Sequence, residues 1–312
     1  MKKFIDKTLL FSLLLLLLVA IGIVLPATPR ASKSLLFAKI KKDSLLKHTN
    51  NPRIIFIGGS NLSFGLNSKL IKDSLKLNPI NTSIHFAIGL EYMLDNTIQY
   101  IKKKDILILV PEYEQFCGRF VHGGEELLRT IADIEPSKIL DLKKEQLKNI
   151  SKYIVKYSLS KFKINEYFGF KESDIYSVNS FNQYGDVYTH WTMQQQFIRP
   201  HDTIIEDYNP QTIDLIAAFR SEVEKKGAKL FISFPSFKAS AYDKNISLIK
   251  KIEKEFINNN FDILGEPERY RMPDSLMFNS SYHLLKKGVD YRTKLLIQDL
   301  KKVQTSKIIY KQ

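Results

Sequence analysis

Arg53-Ile-Ile-Phe-Ile-Gly-Gly-Ser60-Asn61 is the stretch on which the reading of this chain turns. A short unbroken apolar run that stops at two glycines is too brief for an ordinary helix and reads as a strand buried on both faces. Downstream, helical spacing over residues 66–77 and 92–102 alternates with apolar strand-like runs at 82–88 and 105–110. The alternation resumes with a helix over 213–226, a strand over 228–234 ending at Pro235, a helix over 247–258, a strand over 261–264 and a last helix over 284–303. Strands alternating with helices predict an α/β fold in three layers, a parallel sheet of flavodoxin-like type with helices on both faces.

Residues 112–209 are too long for a plain crossover and are read as a helical, aromatic-rich insertion. Helical patterns fall at 125–134 and 143–159, and aromatics from Tyr153 to Trp191 form either a small core or a cap over a sugar-like substrate. Upstream, residues 9–25 are uncharged and almost wholly apolar. At about 1.5 Å per residue, seventeen positions reach roughly 26 Å, close to a bilayer's hydrocarbon thickness. Lys2, Lys3 and Lys7 precede the run and favour a cytoplasmic N-terminus. Leu25 stands where a cleavage site needs a small residue, so the run is read as an uncleaved anchor. The expected organisation is a cytoplasmic tip and membrane anchor (1–30), a stalk helix (31–50) and a globular domain (51–312) outside the cytoplasm.

The 312 residues carry 47 Lys and Arg against 33 Asp and Glu, a net charge of +14, and 44% are hydrophobic. This composition excludes global disorder. The charge is mostly Lys scattered in pairs, without the Arg clusters or reading motifs of a nucleic-acid binder. One cysteine, Cys117, excludes an internal disulfide framework and a Cys-rich zinc site. His85, His122, His190 and His201 have no metal-ligand spacing, so neither metal nor cofactor is expected.

Ser60 stands at the carboxyl end of the first strand, where open α/β sheets place their ligands. Leu62 breaks the G-x-S-x-G pattern, Leu66 after Gly65 breaks a phosphate-binding loop, and G-x-G-x-x-G is missing. A serine needs a base, and His283, just before the last helix, can reach the same end of the sheet. Carboxylate pairs such as Glu112 with Glu114, or Glu125 with Glu126, would suit a glycosidase only at a fixed separation that spacing does not supply.

Ile57-Gly-Gly-Ser-Asn61, Ile84-His-Phe-Ala-Ile-Gly89-Leu90 and Tyr282-His-Leu-Leu-Lys-Lys-Gly288 together resemble the SGNH (GDSL-like) hydrolase family. The resemblance is to its membrane-anchored branch, which O-acylates or D-alanylates cell-surface polymers, and spans residues 51–116 and 228–300. Phe181-Asn-Gln-Tyr-Gly-Asp186 looks like a motif of that branch. The resemblance implies Ser60 as nucleophile, His283 as base, and the Ser60 and Gly89 N–H groups as an oxyanion hole, with Asn61 steadying the loop. It also implies a cell-surface polysaccharide or other acyl-ester substrate and a polytopic membrane O-acyltransferase as partner.

Two positions depart from the family pattern. Its third block supplies an oxyanion-hole asparagine where this chain has Val110-Pro-Glu112-Tyr-Glu114. A donor of that kind is worth about 10²–10³ in rate, and an ionised Glu beside an oxyanion opposes it, which makes Glu112 and Glu114 structural or substrate-facing. The acid that should precede the histidine is replaced by Asn279 and Ser280, and Asp274 can substitute only if the loop folds back. The sequence therefore predicts a Ser–His dyad in an extracytoplasmic serine esterase or O-acyltransferase. The alternative is a non-catalytic domain of the same fold that binds polymer or scaffolds an envelope-modification or export complex.

Overall fold

A computed structural model describes residues 1–197 and 203–309. His201 lies outside the described residues. Five parallel strands form the main sheet: β1 (Arg53–Gly58), β2 (Asn78–Asn81), β3 (Ile106–Val110), β4 (Lys229–Ser233) and β5 (Ile263–Leu264), in the spatial order β2-β1-β3-β4-β5. The alternation of side chains along a strand sorts its residues between two faces. Ile55, Ile57, Leu107, Leu109, Leu230 and Ile232 pack on one side, against Leu46 of α2 (Ala38–His48) and buried residues of further helices. Ile54, Phe56, Ile108, Val110 and Phe231 pack on the other, against Leu296, Ile297 and Leu300 near the C-terminus. The chain is mixed α/β with a parallel sheet covered on both faces, as the apolar run at 53–57 required.

Three differences from the sequence reading have clear causes. The second strand is not at 82–88 but at β2, whose Asn78-Pro-Ile-Asn81 contains no apolar run. It is an edge strand, the place where a proline costs no ladder bond to a second neighbour. Residues 84–88 instead enter a loop closed by a short 3₁₀ turn, Phe86–Ile88. The expected stalk is built into the domain: Leu46 is fully buried in the core, and the Lys42 ammonium is enclosed by the carbonyls of Asn81 (2.9 Å), Ser83 (2.5 Å) and Gly185 (2.7 Å). Burial pulls its pKa down to about 7, partly opposed by the charge of Asp186.

N-terminal to all this, α1 (Lys2–Val24) is long and apolar enough to cross a membrane, and its large side chains are exposed. After α1 and α2 the longer helices are α3 (Ser68–Leu75), α4 (Leu90–Ile98), α5 (Glu125–Ile134), α6 (Lys144–Ser151), α7 (Ile154–Ser160), α8 (Gln211–Lys225), α9 (Ile246–Asn258) and α10 (Lys286–Ile309). Helices α5 to α7 pack through Leu127, Leu128, Ile131, Ile150 and Tyr157 onto Leu36, Ile84, Ile88 and Tyr92, so the insertion shares its core with the loop after β2.

Within the insertion, Asp186 acts as a clamp. Its carboxylate accepts the Ser68 N–H (2.8 Å) and hydroxyl (2.7 Å), the Asn81 amide (2.9 Å) and the Asn182 amide (3.2 Å), tying the insertion to the start of α3 and the end of β2. Gly185 beside it has φ +94°, and a Cβ there would stand 2.2 Å from the Asn81 carbonyl. Phe181-Asn-Gln-Tyr-Gly-Asp186 thus has a structural use that its composition alone did not reveal.

Candidate active site

Parallel register brings the site together. Gly58 of β1 is paired with Val110 of β3, so Ser60 and Glu112, each two residues further on, leave the sheet side by side. The chain turns at Gly59 into a single helical turn, Ser60–Ser63. A Cβ on Gly59 would stand 2.5 Å from the Glu112 carboxylate and 2.9 Å from the Phe86 Cβ, which is why glycine is needed there.

One carboxylate oxygen of Glu112 accepts three donors: the Ser60 hydroxyl at 3.1 Å, the Asn61 N–H at 2.7 Å and the Asn61 side-chain amide at 3.3 Å. Asn61 also donates to the Val110 carbonyl at 3.2 Å, tying the turn to the end of β3. Glu112 is buried, and desolvation, followed by the nearby charge of Glu114, pushes its pKa up to about 7; the three hydrogen bonds pull the other way. Glu114 accepts the Tyr282 hydroxyl at 2.5 Å and is likewise raised by burial.

His283 comes from the loop before α10 and stacks flat on Phe64, with ring centroids 4.0 Å apart and planes 11° from parallel. Phe64 closes the turn that Ser60 opens, its N–H bonding the Ser60 carbonyl at 2.9 Å, so both residues lie at the same end of the sheet. His283 Nδ1 is 2.8 Å from the Asn279 amide oxygen, an acceptor only, so Nδ1 carries the proton and Nε2 keeps a lone pair. Asn279 is itself aimed by its amide group, which donates to the Tyr176 hydroxyl at 2.8 Å. Burial, then the neighbouring His190 and His85, pulls the His283 pKa down to about 3.

Ser60 and His283 are not hydrogen-bonded to one another; the serine hydroxyl is engaged by Glu112. Gly89 has φ +91°, where glycine is required, but its N–H donates to the Phe86 carbonyl at 3.0 Å, which leaves it no free hydrogen for an oxyanion. The Ser60 N–H is free of partners among the described residues. Asp274, offered as a possible support, is 58% exposed and lies 3.7 Å from Lys238, while Asn279 holds the position beside His283.

Phe86 is also a wall of a cleft of about 530 Å³ lined by His85, Arg119, Phe120, Glu126 and Tyr153. His85 Nδ1 accepts the Ala87 N–H at 3.2 Å, and burial lowers its pKa, partly opposed by Glu126. Sequence reasoning set His85 aside for want of metal-ligand spacing and placed Glu112 away from the reaction. What places Glu112 is the strand register, which pairs Gly58 with Val110 and so brings together the positions two residues beyond β1 and β3. Among the described residues no cluster of side chains suits a metal ion. No protein-family model matches the chain, and no curated protein matches it in sequence.

Proposed function

We propose that the protein is a membrane-anchored serine esterase or O-acyltransferase, of the SGNH-like kind its sequence resembles, acting on acyl esters of an extracytoplasmic polymer. The observation that carries this reading is the Ser60 hydroxyl, 7% exposed just past the end of β1 and bonded to a buried carboxylate whose pKa lies near neutrality. A base at 3.1 Å with a pKa near the working pH is what a serine needs to become a nucleophile. The strand order, which is that of flavodoxin-like sheets, supports the fold part of the reading. The lysines before α1 support a cytoplasmic N-terminus and an external domain.

In this mechanism Ser60 Oγ attacks the acyl carbonyl while its proton passes to Glu112. The leaving alcohol takes the proton back as the ester C–O bond breaks, and acyl-Ser60 remains. Water or a sugar hydroxyl then repeats the sequence in reverse, releasing acid or a new ester. The Ser60 N–H supports the oxyanion. His283, held neutral with its lone pair on Nε2, steadies the wall of the turn through Phe64 and is a weak second base. The aromatic and polar cleft beside Phe86 suits a sugar ring, with Phe120 and Tyr153 offering faces and Glu126 and Arg119 offering polar partners. An acyl-donating polytopic membrane protein belongs to the transferase form of the proposal.

A second reading, a non-catalytic polymer-binding or scaffold domain, is favoured by the engaged Gly89 N–H and by the missing Ser60–His283 bond. A fluorophosphonate probe applied to the full chain in detergent separates the two. Covalent labelling of the wild type that is lost in Ser60→Ala supports the enzyme; no labelling of the wild type leaves the binding domain.

A further inference from the structure

The exit of α1 is packed against the insertion. Gly22 is buried in that contact, and a Cβ on it would stand 2.6 Å from the Ser158 carbonyl of α7. Just beyond, Lys161 donates to the Pro26 carbonyl at 3.1 Å and Thr28 to Glu166 at 2.9 Å. Gly22 lies three residues before Leu25, where the apolar run ends. At about 1.5 Å per residue this puts Ser158 roughly 4.5 Å inside the boundary of any bilayer that α1 crosses to Leu25.

The residues flanking Ser158 have the chemistry of that depth. Val155 (53% exposed), Phe162 (43%), Ile164 (79%) and Phe168 (76%) are apolar and open. Interleaved with them, residues 152–171 hold five lysines and one glutamate, and Lys163 and Lys171 are exposed with no ion pair among the described residues. Apolar and aromatic side chains alternating with lysine suit the zone where acyl chains meet headgroups, and lysine favours anionic ones.

We propose that residues 155–171 form an interfacial surface seated on anionic lipid headgroups of the leaflet from which α1 emerges. The proposal rests on the reading of α1 as a membrane anchor and not on the chemistry at Ser60. Its occupant is lipid because the Gly22–Ser158 contact brings this segment to the same bilayer as α1, whatever other partner is present.

The test uses the purified full chain in phosphatidylcholine vesicles with or without phosphatidylglycerol. A small fluorophore is attached at Ile164→Cys, Phe168→Cys, Leu16→Cys or Ile257→Cys, the native Cys117 being buried. Lipids carrying a nitroxide near the headgroup or deep in the chain serve as quenchers. The shallow quencher is expected to act on Ile164→Cys and Phe168→Cys several-fold more than on Ile257→Cys, a 59% exposed control on α9, and more strongly with phosphatidylglycerol. Leu16→Cys should respond to the deep quencher. If it does while Ile164→Cys and Phe168→Cys behave like Ile257→Cys, the lipid surface is overturned, the anchor stands, and the patch is left to a protein partner. If Leu16→Cys is not quenched, the anchor reading and this proposal fall together. Equal quenching in both kinds of vesicle overturns the anionic preference.

Discussion

Ser60 gives its hydroxyl hydrogen to Glu112 at 3.1 Å, while His283 directs its protonated ring nitrogen at Asn279, 2.8 Å away. The two bases that could serve the serine therefore differ in charge and in proton affinity. Glu112 titrates near 7 and His283 near 3. A group with a pKa near 3 is a poor acceptor at neutral pH, so geometry and proton affinity both favour the carboxylate.

The pH–rate profile distinguishes the bases. Ester hydrolysis by the full chain should rise through an acid limb near pH 7 as Glu112 ionises. Glu112→Gln should lower the rate at least about 10²-fold, the size usual for a general base. A limb that stays near pH 3 in the wild type would assign the base to His283.

The same carboxyl makes stability depend on pH. Its folded pKa is raised from the ordinary 4.5 to about 7, so the folded state binds more protons than the unfolded one between those values. Its stabilising effect is complete below about pH 4.5 and is lost as pH rises through 7. Glu112→Gln should flatten that slope in denaturant unfolding of the detergent-solubilised chain. An unchanged slope would place the shift elsewhere.

Gly59→Ala tests whether the approach of the loop to Glu112 matters. The new Cβ would stand 2.5 Å from a carboxylate oxygen that must keep three donors. Labelling of Ser60 should fall sharply while the circular dichroism spectrum stays native. Full labelling would show that the Ser60–Glu112 bond is dispensable.

Asn279→Asp places a carboxylate 2.8 Å from His283 Nδ1 and raises the basicity of the ring. With Glu112 as the base, turnover should change little, far short of the roughly 10⁴ that a triad acid is worth where the serine already faces the histidine, and a large rise would make His283 the base. Asp274→Asn should change little, since that side chain is exposed beside Lys238. A large loss in Asp274→Asn would reverse this assignment.

Asp186→Ala removes one carboxylate from four hydrogen bonds and leaves the buried Ser68 and Asn81 donors unpaired. The expected loss is roughly 2–4 kcal/mol of unfolding free energy. Wild-type stability in this variant would mean that the insertion is held by its apolar contacts alone.

How much of this was legible depended on whether a signal was local. β1, β3 and β4 were visible because central strands of a parallel sheet must be apolar on both faces, and each falls within a residue or two of its apolar run. β2 was not, because an edge strand needs no such run and tolerates Pro79. Ser60, Asn61 and Asn279 were singled out from motif positions, and the amide oxygen of Asn279 lies 2.8 Å from His283 Nδ1. Glu112 escaped because its role comes from register between strands some fifty residues apart, and composition rated it only as a charge unwelcome near an oxyanion. Lys42 escaped because lysine on an amphipathic helix ordinarily faces water, whereas here three backbone carbonyls replace the water.

The contact between Gly22 and Ser158 also determines how far the candidate site can travel. A domain on a loose tether sweeps a hemisphere above its anchor and meets substrate at many heights. Here Lys161 grips Pro26, Thr28 grips Glu166, and the backbone of Val178 bonds Lys33 at 3.1 Å, so the links between α1 and α2 are stitched to the domain along their course. The height of Ser60 above the bilayer is thus a built dimension of the protein. On the proposed function, a polymer would have to be threaded or grown past that level to be acylated or deacylated, and the position of modification along it would be measured from the membrane.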